Sequence, residues 1–246
     1  MRSAVFLVLC LAATVGWSAE FTRVIPVDCR QVVLVFTPDW PSSMGTLQCL
    51  ERAGTNDAWQ HVGAPAPVLL GRRGLAWGLG LHANTPEGAP RKKEGDQCSP
   101  AGVFAFGTAF GRIPIEDVRW LRLPYRSLAP TTEAVDDPTS RFYNCIVDRA
   151  RIPQPDWRSS EHMWTIPVYE LGAIIDHNPD RRPSAGSCIF LHLWPEGVSG
   201  TAGCTALHRA DLLAVLRWLD PAKQPVLVQL PEKIARKRLP ELYDHR

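Results

Sequence analysis

The sequence predicts a mainly β fold, a β-sandwich-like domain carrying one principal helix. Three observations predict it. The 22 prolines and 18 glycines are scattered along the 246 residues rather than clustered, which suits many short strands joined by turns. The apolar runs are short and rich in branched and aromatic side chains, as buried strands are. One segment alone has its leucines at helical spacing.

In chain order, RQVVLVFTPDW and GTLQCLER read as two strands joined by the turn PDWPSSMG. APVLLGRRGLAWGLGLH continues the strand-and-turn pattern. The segment HANTPEGAPRKKEGDQCSPAG, rich in glycine and proline, reads as a long surface loop. VFAFG, VRWLRLPY and TIPVYELGAIIDHN supply further strand candidates, and CIFLHLW is expected to be a buried strand. HRADLLAVLRWLDP is the helix: Leu212, Leu213, Leu216 and Leu219 repeat with its period, and Pro221 ends it. PVLVQLP is the closing strand. The basic stretch EKIARKRLPELYDHR is expected to be a solvated tail over 233–246. No repeat and no linker divides the chain, so residues 20–232 read as one domain.

The first residues, MRSAVFLVLCLAATVGWSAE, have a basic start, a short apolar run and small residues near Ala19. This is the pattern of a signal peptide over 1–19, and it predicts export to the periplasm or cell envelope. The run is too short for a bilayer span, which needs roughly 18 or more apolar residues, and no later stretch is long enough. No stable membrane span is therefore expected once the leader is removed. The formal charge of +2 is too small to suggest nucleic acid as a partner.

Export changes how the remaining six cysteines read, because an even set in an oxidising compartment usually means bridges. A hairpin brings Cys29 near Cys49, and Cys98 and Cys145 both fall in loops. Those two pairings are the expectation, although six cysteines allow 15 complete pairings.

The stretch GSCIFLHLWPEGVSGTAGCTALHRADLLAVLRWLD concentrates the chemistry, with Cys188, His192, Cys204 and His208 close in sequence. Three readings compete. Zinc needs ligand atoms within roughly 4 Å of one another, whereas a strand separates Cys188 from His192 by about 13 Å. A Cys188–Cys204 bridge is possible, but TAGCTAL has the composition of a tight turn presenting one side chain. The third reading is a nucleophile and its base: His192 at the end of a strand meets Cys204 across a short loop. The thiolate is the attacking species, and the amides of Gly203 and Cys204 could stabilise an oxyanion.

The motif IFLH…TAGC resembles the His…[Ser/Thr]-x-Gly-Cys signature of the L,D-transpeptidase catalytic-domain family. KKEGDQCSPAGVFAFGTAFG and YELGAIIDHN resemble the segments that lead into the family's catalytic half, and the similarity runs roughly from Val32 to Pro231. The resemblance implies a cysteine acyl-transfer enzyme acting on peptidoglycan stem peptides, with Cys204 as nucleophile and His192 as base. It further implies that Gly203 helps hold the oxyanion and that Thr201 braces the turn; no metal or other cofactor is expected. The chain departs from the family's pattern at Ala202 and Ala206, where many members carry histidine and asparagine or arginine, and its His-to-Cys spacing is shorter. Those departures keep open a catalytically weak peptidoglycan-binding module on the same scaffold. Arg209, Tyr169, His177 and Trp194 are the candidate substrate contacts, Arg209 for a stem carboxylate and Trp194 as a wall of the cleft.

Overall fold

The computed structural model describes residues 25–82, 85–86 and 88–243. The expected leader over 1–19 lies outside the described residues. The first strand, β1 (Gln31–Thr37), pairs antiparallel with β2 (Met44–Glu51) as the turn chemistry predicts. Its VVLVF run is unbroken because β1 is covered on both faces and has a partner on each side. β3 (Gln60–Leu69) follows antiparallel to β2, with most of its first half exposed. β4 (Leu75–Trp77) lies parallel to the start of the long β5 (Ser99–Gly111), and β6 (Tyr125–Ser127) lies parallel to its end.

β7 (Thr132–Val135), β8 (Cys145–Asp148) and β9 (Ser160–His162) form a separate three-stranded sheet in the order β8-β7-β9. The chain then returns to the main sheet with β10 (Leu171–Ile175), β11 (Phe190–Leu193) and β12 (Thr205–Leu207). Helix α1 (Arg209–Trp218), the last strand β13 (Val226–Pro231) and helix α2 (Glu232–Arg238) complete the order. The main-sheet pairings run β10-β11-β12-β3-β2-β1-β13-β5, and β5 then pairs with β10, so they form a circuit. Along β5, Gly102–Ala105 pair with β13, and Phe106 and Ala109–Gly111 pair with β10.

Two apolar clusters result. The larger gathers β1, β13 and the inner face of α1, where Leu212, Val215 and Leu216 are buried as the helical spacing predicts. The smaller lies against the excursion between β6 and β10, and contains Phe110, Leu128, Ala134, Met163, Tyr169, Phe190 and Cys204. Cys204 therefore belongs to the layer between the main sheet and the small one.

Three expectations are corrected. VRWLRLPY is not a strand: after Pro114 the chain makes a 3-10 turn, Ile115–Val118, and pairing resumes only at Tyr125 beyond Pro124. Its Trp120 instead lies under the Arg217 guanidinium of α1. The basic tail is not solvated throughout, because Ala235, Leu239 and Leu242 are buried in the main core. All six described cysteines are free thiols, so the expected Cys29–Cys49 and Cys98–Cys145 bridges are absent. The hairpin register explains the first: Cys49 lies opposite Val33, four residues and about 13 Å of strand beyond Cys29. The Cys29 thiol donates to the Gln31 carbonyl at 3.2 Å, and the Cys98 and Cys145 thiols donate to the carbonyls of Arg73 and Tyr143. Burial pushes Cys29 up to about 11 and Cys49 up to about 12, so both stay protonated at neutral pH.

Candidate active site

Cys204 stands at the end of a braced turn and leads directly into β12. Backbone bonds pin Thr201 between Leu70 and Arg72, with Thr201 N–H donating to Leu70 at 2.8 Å and Arg72 N–H donating to Thr201 at 2.9 Å. Thr201 Oγ1 donates to the Cys204 carbonyl at 2.7 Å and accepts from Gly203 N–H at 3.1 Å. Ser99 Oγ donates to the same carbonyl at 3.0 Å and accepts from Gly71 N–H at 2.8 Å. Two hydroxyls on one carbonyl fix the orientation of the cysteine. Gly203 adopts φ +155°, and a Cβ there would lie 3.1 Å from the Cys98 carbonyl oxygen.

The Cys204 sulfur accepts from Phe190 N–H at 3.4 Å and can donate to the Cys188 carbonyl at 3.6 Å. Only 8 % of the residue is exposed, and burial, followed by the nearby Glu161 charge, pushes the thiol up to about 12. The resting form is the thiol. His192 occupies β11, in register with Ala206 of parallel β12, so Cys204 is two residues upstream on the neighbouring chain segment. The Leu193 carbonyl lies 2.7 Å from His192 Nδ1 and can only accept, which assigns the proton to Nδ1 and leaves Nε2 as the basic nitrogen. Burial pulls this imidazole down to about 4, so it is neutral at pH 7. His192 and Cys204 are not hydrogen-bonded to each other in this conformation.

Tyr169 closes the arrangement. Its ring meets His192, Phe190 and Phe110 edge to face, at centroid distances of 5.5, 5.4 and 5.7 Å. Its hydroxyl donates to Glu161 Oε2 at 2.6 Å. Gly172, opposite His192 in β10, makes room for this packing: a Cβ would sit 2.6 Å from the Leu191 carbonyl oxygen and 2.8 Å from the Phe110 ring.

The other predicted contacts are engaged by the protein itself. His177 is buried, accepts from Leu79 N–H through Nδ1 and bonds the Ala185 carbonyl through Nε2, which leaves no ring nitrogen for a ligand. Burial pulls it down to about 4. Arg209 makes a two-pronged pair with Glu170 at 2.6 and 2.9 Å. Trp194 stacks flat on His208 at 4.5 Å. The Cys188 thiol reaches the Val135 carbonyl at 3.4 Å. Sequence reasoning missed Ser99 and Glu161, which come from distant segments and carry no local signal. A cavity of about 70 Å³ lies beside Cys188 and Phe190. The larger cleft, about 530 Å³ and lined by Phe106, Leu123 and Pro225, shares no lining residue with this cluster.

These features define a mainly β domain with a histidine on one strand and a cysteine turn opening its parallel neighbour. A family model described as the L,D-transpeptidase catalytic domain matches residues 58–228, and the chain belongs to that family. It is thereby a peptidoglycan enzyme of L,D-transpeptidase type. No curated protein and no solved structure matches it significantly. The match begins after β2, so the β1–β2 hairpin lies outside it although it completes the strand circuit.

Proposed function

We propose that this chain is an exported cysteine acyltransferase that works on peptidoglycan stem peptides through a Cys204 thioester. The observation that carries the reading is the Thr201–Cys204 turn, whose hydroxyl bracing holds one sulfur beside β11 and leaves it unbridged. In the reaction, the sulfur attacks the carbonyl at the L-centre of the third stem residue. The C–N bond to the terminal D-residue breaks, and the departing amine takes up a proton. An amine of a second stem, or water, then displaces the sulfur, giving a cross-link or a trimmed stem. His192, neutral and steered by Leu193, supplies the basic nitrogen. The Cys204 amide is the oxyanion donor of the turn, because Gly203 N–H is already spent on Thr201 Oγ1. Tyr169 and Trp194 border the approach.

A second reading, a peptidoglycan-binding module with weak turnover, draws on the burial of the sulfur and on Ala202 and Ala206. Digestion of purified muropeptides with wild type and Cys204→Ala separates the two. We expect product masses for exchange or trimming from wild type alone. Equal product from both proteins would refute the thioester mechanism, and binding without product from either would establish the module.

A further inference from the structure

The turn that aims the sulfur is stapled to a second turn, which carries two adjacent arginines. Gly71, Arg72, Arg73 and Gly74 follow β3. Gly74 N–H donates to the Gly71 carbonyl at 2.7 Å, closing a β-turn with the arginines at its two central positions. Gly71 forms a parallel bridge with Thr201, and the backbone bonds from Thr201 to Leu70 and from Arg72 to Thr201 lock one turn onto the other. The far side is tied down as well: Arg73 N–H donates to the Gln97 carbonyl at 3.0 Å, and Leu75 N–H to the Trp40 carbonyl at 2.7 Å. The packing leaves no slack. A Cβ on Gly74 would run into the Trp40 carbonyl oxygen, and one on Gly200 into the Arg72 Cα.

The backbone of this second turn is fixed, yet both arginine side chains are exposed. Neither guanidinium has a hydrogen-bond, ion-pair or aromatic partner among the described residues. Other arginines of the fold do have one: Arg209 pairs with Glu170, Arg122 with Asp220 and Arg141 with Asp156. Neighbouring cations repel each other, and here no carboxylate of the protein offsets the repulsion. Arg209, the candidate the sequence offered for a stem carboxylate, is occupied by Glu170. Arg72 and Arg73 are cations without such a partner, on a backbone bonded directly to the nucleophile's turn.

We infer that Arg72 and Arg73 form a clamp for a carboxylate of the stem peptide and anchor it beside Cys204. The inference rests on the stem-peptide reading above. A guanidinium meets a carboxylate through two parallel N–H···O bonds, which fixes orientation as well as position. Because the clamp is bonded to the Thr201–Cys204 turn, a carboxylate held there sets where the attacked carbonyl lies relative to the sulfur. The stem carries one carboxylate on its terminal D-residue and others along its length, and each offers the same chemistry. The clamp selects a stem with that carboxylate free over one in which it is amidated.

The experiment is equilibrium binding of three soluble tetrapeptide stems to the Cys204→Ala protein, alone and with Arg72→Gln or Arg73→Gln added. The stems are the free acid, one amidated at the terminal D-residue, and one amidated at its other carboxylates. For Cys204→Ala alone we expect the free acid to bind tightest and one amidated stem at least about tenfold more weakly, which identifies the carboxylate held. Adding either arginine substitution should weaken the free acid by a similar factor and leave that amidated stem little changed. Arginine variants that bind every stem as their parent does, or that weaken all three equally, overturn the clamp. So does a parent protein that binds the free acid no better than either amide. Both arginines are exposed, and matching near-ultraviolet circular dichroism checks that each variant is folded; either one decides the question alone. Digestion of the same stems with Cys204 intact separates the clamp from the acyl-transfer reading. Discrimination in binding with no product sinks that reading and leaves the clamp standing, whereas equal product from wild type and both arginine variants does the reverse.

Discussion

Two buried histidines set how this fold responds to acid. His192 and His177 are held neutral, each drawn from 6.5 to about 4 by burial. Above pH 6.5 neither folded nor unfolded chain protonates them, and stability is indifferent to pH on their account. Between 6.5 and 4 the unfolded chain takes up protons that the folded one refuses, so stability falls as pH drops, by up to about 3 kcal/mol for each group. Urea midpoints measured from pH 7.5 to 4.5 should therefore decline through this window, and His192→Gln should flatten the decline. A flat profile for the wild type would contradict the burial argument. At this scale the sequence was informative where chemistry is local: His192 and Cys204 lie on one continuous stretch with the turn that aims the sulfur. Glu161 and Ser99 were hidden because only the tertiary fold brings them to the site, from 43 and 105 residues before Cys204 in sequence.

Between elements, the Arg209–Glu170 pair joins the start of α1 to the turn carrying Tyr169. Both partners are partly exposed, so the ion pair itself contributes no more than about 1 kcal/mol. Arg209→Ala should leave the unfolding midpoint nearly unchanged. If the pair acts by holding Tyr169, the variant should lower kcat for muropeptide turnover with KM little altered; a raised KM at constant kcat would instead assign Arg209 to a stem carboxylate. The elements that were legible in the sequence have one dominant physical cause: the first hairpin has its turn, α1 its leucine spacing, and β11 and β13 their mostly apolar runs, each interrupted by a single polar residue. VRWLRLPY misled because its aromatic and branched residues suit a strand, whereas Pro114 and Pro124 fence it off from pairing. Strands β7, β8 and β9, three or four residues each, are too short to show a period.

For the molecule as a whole, the C-terminal helix belongs to the structural unit although the sequence presents it as a charged tail. Its apolar residues are sparse among lysines and arginines, yet Ala235 in the helix and Leu239 and Leu242 just beyond it all reach the main core. Ending the chain after Pro231 would expose them and cost roughly 3–6 kcal/mol, at about 1.5–3 kcal/mol for each buried leucine. A truncated protein whose urea midpoint matches the full chain would show the helix to be dispensable. The circuit of strands has a further consequence. β1 lies between β2 and β13, with Val32 beside Val226, so one of its two partners is its neighbour in sequence and the other is a segment far downstream. Contacts this distant in sequence close slowly. The barrel-like circuit therefore stays open during synthesis until β13 has emerged, however early the first hairpin forms.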